Sequence, residues 1–125
     1  MHAIETVIER YFEAWNEADA PVRQALIAKA WADDGRYCDP LSDVEGHAGF
    51  SEMVDGVHAQ LPGHRVQRTS PIDRHHDQVR FEWEIVSPEG SVAITGVDYA
   101  ELAPDGRLQS VSGFFGTGVP AEAAA

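Results

Sequence analysis

The sequence has a single cysteine, Cys38, among its 125 residues. That excludes an internal disulfide framework and any zinc site built on several thiolates. A lone thiol suits a reducing compartment, so the cytoplasm is the expected location. Basic residues are scarce as well: 9 Lys plus Arg stand against 21 Asp plus Glu, for a formal net charge of −12. An acidic chain without a basic stripe repels phosphates, so neither nucleic acid nor an anionic membrane is an expected partner. No run approaches the ~18 apolar residues that a membrane span requires. The start, Met1-His2-Ala3-Ile4-Glu5, lacks the basic-then-apolar pattern of an export signal. Gly-x-Ser-x-Gly and phosphate-binding glycine motifs are absent. The histidines His2, His47, His58, His64, His75 and His76 never fall at i, i+4 with a matching carboxylate. No metal and no cofactor are expected.

Apolar residues are not scarce. At 43% of the chain they suffice for one sizeable core. The expectation is a single domain over residues 1–118, with 119–125, rich in alanine, as a flexible C-terminal tail. Ile4, Val7, Ile8, Tyr11, Phe12 and Trp15 have the spacing of one stripe on an amphipathic helix. Asp19 can cap a second helix with Pro21 in its opening turn, buried through Val22, Leu26, Ala30 and Trp31 until Asp33-Asp34-Gly35 breaks it. A short strand is expected over Arg36 to Asp39. A third helix comes next, with Phe50, Met53, Val54, Val57 and Leu61 on one face.

The period then changes. Val79, Phe81, Trp83 and Ile85 alternate with polar residues, which predicts a strand. Further strands are expected near His64–Ile72, over Val92–Leu102 and over Leu108–Phe115, separated by Pro-Glu-Gly and Pro-Asp-Gly turns. Helices followed by an antiparallel meander indicate an α+β fold, with the helices curled over one sheet face to leave a cone with a mouth.

Three polar residues draw attention. Tyr11 lies in the apolar stripe, so its phenol is a core residue in want of a partner or part of a cavity wall. Asp98 shares parity with Ile94 and Leu102. On that face its burial would raise its pKa; if instead Ala93, Val97 and Tyr99 face the core, it is merely solvated. Asp39 follows Tyr37 and precedes Pro40, where it is either a base at a cavity mouth or a turn aspartate that bonds local backbone.

The order of elements resembles the NTF2-like fold over nearly the whole chain. Within that superfamily the chain is similar to SnoaL-like proteins and ketosteroid isomerase through three segments: Arg10-Tyr11 with Trp15-Asn16, Ala32 to Pro40, and Gly96-Val97-Asp98-Tyr99 with Phe114-Phe115-Gly116. The resemblance implies a cofactor-free isomerase or polyketide-cyclase type of enzyme, acting by proton abstraction next to a carbonyl. In it Asp39 is the base, and Tyr11 and protonated Asp98 donate to the enolate oxygen. Trp15, Trp31, Tyr37, Met53, Val54 and Trp83 would line the pocket, with Val54 where the isomerase carries a tyrosine. Tyr37 narrows the mouth, which favours a small hydrophobic carbonyl ligand. Epoxide hydrolysis is not implied, because the strand that should hold an Arg-x-Asp pair reads Phe81-Glu82-Trp83-Glu84-Ile85. A homodimer through the sheet is also implied. The alternative is a non-catalytic ligand-binding or protein-association domain, since the same cone serves without chemistry elsewhere in the superfamily.

Overall fold

The computed structural model describes residues 3–116. The expected tail, 119–125, lies outside the described residues. Helix α1, Ile4–Asn16, buries Val7, Ile8, Tyr11 and Trp15 of the predicted stripe together with Ala14, while Ile4 and Phe12 of that stripe are half-buried. Helix α2, Ala20–Ala30, is capped by Asp19, whose carboxylate accepts from the Val22 N–H at 3.1 Å, with Pro21 in the first turn. Trp31 does not close this helix. Its backbone is already extended, and it opens strand β1, Trp31–Asp39. Strand β2, Ser42–Glu45, and helix α3, Gly46–Gln60, come next. Five more strands complete the order: β3 Arg65–Arg68, β4 Asp73–His75, β5 Gln78–Val86, β6 Val92–Leu102 and β7 Leu108–Phe115.

The fold is α+β, with three helices against one curved sheet of strand order β2-β1-β7-β6-β5-β3, and β4 paired to β5. Two expectations need correction. The helices are not all N-terminal, because α3 follows β1 and β2. Nor is the sheet wholly antiparallel, because β1 and β7 run parallel, Tyr37 beside Val111. That pairing joins residues more than seventy positions apart, so no local pattern announces it. The strand expected near His64–Ile72 is the shorter β3, and β4 begins just beyond it at Asp73, where the sequence reading has a turn.

The core lies between the helices and the concave sheet face. Tyr11, Trp31 and Phe50 pack together there, with the Trp31 and Phe50 ring centres 5.1 Å apart. Each large apolar side chain so buried contributes about 1.5–3 kcal/mol. Arg23, fully buried, fastens α2 to its neighbours by donating to the Glu17 and Ser51 carbonyls and, at 2.8 Å, to Asp55. The removal of this charge from water is offset by those acceptors. At the sheet's edge, the Asn16 side chain donates to the Val66 carbonyl and accepts from the Val66 N–H, at 2.9 and 2.8 Å. This pair of hydrogen bonds ties the end of α1 to β3 and fixes how far the helix overhangs the sheet.

Candidate active site

One cavity of about 110 Å³ opens between the helices and the concave sheet face. The strand period decides which carboxyl enters it. On β6 the even positions Gly96, Asp98, Ala100 and Leu102 are buried, whereas of the odd ones Thr95, Tyr99 and Glu101 are exposed and Val97 is buried; Asp98 is an interior carboxyl, 3% exposed. The register sets Phe81 and Gly113 on either side of it.

Tyr11, two helical turns into α1, donates its hydroxyl proton to Asp98 Oδ2 at 2.7 Å. Trp83 Nε1–H donates to Asp98 Oδ1 at 2.9 Å. The indole reaches that oxygen because Trp83 pairs with Gly96: a Cβ on Gly96 would sit 2.1 Å from the ring. Burial pushes the Asp98 pKa up from 3.8 to about 7; the bonds from Tyr11 and Trp83 pull it partly back, and the charge of Asp39 adds to the rise. Tyr11 is driven well above the ordinary phenol value, first by burial and then by the nearby Asp98. Tyr37 is raised strongly as well, by burial and then by Asp98 and Asp39.

Asp39 ends β1 at the rim, where it builds its own turn and also lines the cavity. Its Oδ1 accepts from the Leu41 and Ser42 N–H groups at 2.8 and 2.9 Å, which builds the turn across Pro40. Its Oδ2 accepts from the Tyr37 hydroxyl at 2.7 Å, and its side chain lines the cavity. Gly113 is the point around which these groups gather. A Cβ there would lie 2.9 Å from Asp98 Oδ1, 3.3 Å from the Tyr37 hydroxyl and 3.4 Å from Asp39 Cβ.

Of the residues named from the sequence, Tyr11, Trp15, Tyr37, Asp39, Trp83 and Asp98 line this cavity together. Trp31, Met53 and Val54 do not. Trp31 leaves the end of α2 into the core, where Val54 is also fully buried and Met53 packs against the same cluster. The cavity instead meets the last turn of α3, at Val57 and Gln60, and Leu61 just beyond it. The sequence reading missed Gly96 and Gly113, whose role depends on strand register. It also missed Leu41, which stands 82% exposed at the rim.

Among the described residues no group of three His, Cys, Asp or Glu side chains could hold a metal ion. His47 and His58 do not line the cavity; they bond backbone carbonyls, of Trp31 with Ala32 and of Trp15 respectively. No helix of the described residues is long and apolar enough to cross a membrane.

A profile for the SnoaL-like domain matches residues 8–111. The chain belongs to the SnoaL-like family. Its fold is shared with a SnoaL-like protein from Agrobacterium tumefaciens, named as a candidate isomerase, at 35% identity and a TM-score of 0.85, covering 90% of this chain and 97% of that one. An NTF2-like protein of unknown function from Exiguobacterium sp. is 19% identical with a TM-score of 0.70, over 90% and 99% of the two chains. A SnoaL-like candidate polyketide cyclase from Jannaschia sp. is 15% identical with a TM-score of 0.66, over 92% and 89%. The last two likenesses concern the fold alone. No curated protein sequence matches the chain significantly.

Proposed function

We propose that this SnoaL-like domain is a cofactor-free enzyme of isomerase or polyketide-cyclase type that moves a proton next to a carbonyl in the cavity described. The observation that carries the reading is the bond between buried Asp98 and Tyr11 inside a cavity that Asp39 also lines. A carboxyl whose pKa is about 7 exchanges its proton readily at neutral pH. In the ionised form Asp98 accepts the Tyr11 hydrogen bond. Once Asp98 is protonated on Oδ2, its O–H and the released Tyr11 O–H both become donors, while Trp83 stays on Oδ1. An enolate oxygen held between the two gains about 2.7–4 kcal/mol per donor in a site of this type. Asp39, held by its turn and by Tyr37, is the carboxylate that takes the proton from carbon. The fit favours a short chain or a single ring that reaches out through the mouth, since the cavity of about 110 Å³ is smaller than the ~150 Å³ that encloses benzene. Conversion of cyclohex-3-enone to its conjugated isomer, together with exchange of its α-protons in D₂O followed by NMR, tests the reading. Neither isomerisation nor exchange above buffer would remove it.

A second reading also has an observation in its favour. Asp39 Oδ1 is occupied by its own turn and the Tyr11 proton is committed to Asp98, which suits a binding domain without chemistry. That domain would retain ligands in the same experiment yet exchange no protons.

We also propose that a second copy covers the outer sheet face. Tyr99 and Phe114 stack there edge to face at 5.8 Å while 47% and 54% exposed, a pair of rings with no cover in the single chain. Light scattering at micromolar concentration should show twice the 13.7 kDa of one chain; a particle of single-chain mass rejects the dimer.

A further inference from the structure

The capacity for hydrogen bonds at the buried end of the cavity is lopsided. An ionised carboxylate offers about four lone-pair positions. Asp98 uses two, for Tyr11 and Trp83, and keeps the rest open. Tyr37 spends its proton on Asp39, so its oxygen is left as an acceptor. The donors of Tyr11, Tyr37 and Trp83 are thus all committed to carboxylates, and what the buried end still offers is acceptance. Ser42 and Gln60, at the rim, supply neutral groups only.

Charge points the same way. Asp39 and Asp98 both line the cavity, and among the described residues no Lys, Arg or His lines it. Apart from Ser42 and Gln60 the rest of the wall is apolar, half of it aromatic, with Trp15, Tyr37 and Trp83 among the rings, and half aliphatic, with Val57, Leu61 and Ile94 among the side chains. An anion entering here would meet two carboxyls and no compensating cation. A cation meets the reverse: two carboxyls, one of them buried at a cost until a positive charge arrives, and aromatic rings that attract it wherever it lies over a face, at about 0.5–2 kcal/mol per contact.

We infer that the ligand of this cavity is a compact cation, a protonated amine or quaternary ammonium carried on a single ring or short chain. The inference goes beyond the proton-transfer reading. It rests on the cavity being the ligand site and holds whether or not chemistry takes place there.

Three probes of nearly equal size and different charge test it: benzylamine, benzyl alcohol and benzoate at pH 7, titrated against the full chain. Trp15 and Trp83 line the cavity, so quenching of their fluorescence and the shift of the Trp83 indole N–H resonance report binding there, apart from loose attraction to the acidic surface. Benzylamine should bind about tenfold more tightly than benzyl alcohol, with benzoate weakest. In Asp98→Asn the ratio of benzylamine to benzyl alcohol affinity should shrink toward unity, with a wild-type circular dichroism spectrum showing the variant to be folded; a ratio unchanged in the folded variant also overturns the inference. Equal or tighter binding of benzyl alcohol or benzoate by the unaltered chain overturns the inference, as does the absence of any cavity signal from benzylamine at millimolar concentration. Turnover of cyclohex-3-enone is read separately. Its absence beside an intact charge preference sinks only the proton-transfer reading, and its presence beside equal affinities sinks only this one.

Discussion

Asp39 and Asp98 line one cavity and share one kind of side chain, yet the chain holds them in opposite ways. Asp39 sits where β1 leaves the sheet, with three donors on its two oxygens and two of those from the backbone of its own turn. Asp98 sits mid-strand on the concave face, with two donors from distant side chains and almost no water. Local backbone donors stabilise a negative charge as it stands. Burial with few donors leaves the charge in doubt and moves the pKa toward neutrality. Carboxyls held so differently suit the different parts that the proposed reaction gives them.

The largest way to break the contrast is Asp39→Asn. It keeps the turn acceptor and the shape, removes the charge, and should lower cyclohex-3-enone turnover by about 10²–10⁴-fold with the melting temperature nearly unchanged. Wild-type turnover in this variant would assign Asp39 to the turn alone. Tyr11→Phe comes next. It removes one donor to the enolate and one to Asp98, so kcat should fall about 10²–10³-fold. The Asp98 pKa should rise further, as read by carbon-detected NMR titration of its carboxyl.

The third test is the pH dependence of stability. The folded pKa of Asp98 is raised from 3.8 to about 7, so between these values the unfolded chain has released a proton that the folded chain retains. Stability from this group is therefore full below about pH 4, declines as pH rises toward 7, and is level above, by roughly 2–4 kcal/mol in all. Denaturant unfolding of wild type minus that of Asp98→Asn, at pH 4 and pH 8, should show that decline, and parallel curves would refute it. The smallest effect is expected of Gly113→Ala. The added methyl would press on Asp98 Oδ1 at 2.9 Å, with an expected destabilisation of about 1–3 kcal/mol in thermal unfolding and a displaced Asp98 titration.

How much of this could be read from the residues alone depended on distance along the chain. The Tyr11 stripe and the Asp19 cap are local and appear as predicted, because helix period and capping involve neighbours within a turn. The face of Asp98 was undecided because both faces of β6 carry apolar residues; the β5 partner settles it by placing Phe81 opposite Asp98 and Trp83 opposite Gly96. The Trp83 bond to Asp98 was illegible for the same reason, since register between strands is a long-range property. Trp31 fits a helical face as well as a strand start, and only the parallel partner β7 makes it the latter. Strand β2 has four residues and pairs only with β1, too short for alternation to show. The lining was misplaced along α3 because the stripe tells which side of a helix is buried, and says nothing about which turn overhangs the cavity.

The two bonds between Asn16 and Val66 carry a consequence of their own. A carboxamide presents one N–H and one C=O side by side, the same two groups that a neighbouring peptide unit would offer. Asn16 therefore impersonates the next strand at the outer side of β3 and brings the hydrogen-bond ladder to an end. An incoming extended segment finds this position already taken, so growth of the sheet from one molecule into the next is discouraged there. A helix residue thus supplies the stop signal for the sheet, and Asn16→Ala would be expected to leave a sticky border where the wild-type molecule has a finished one.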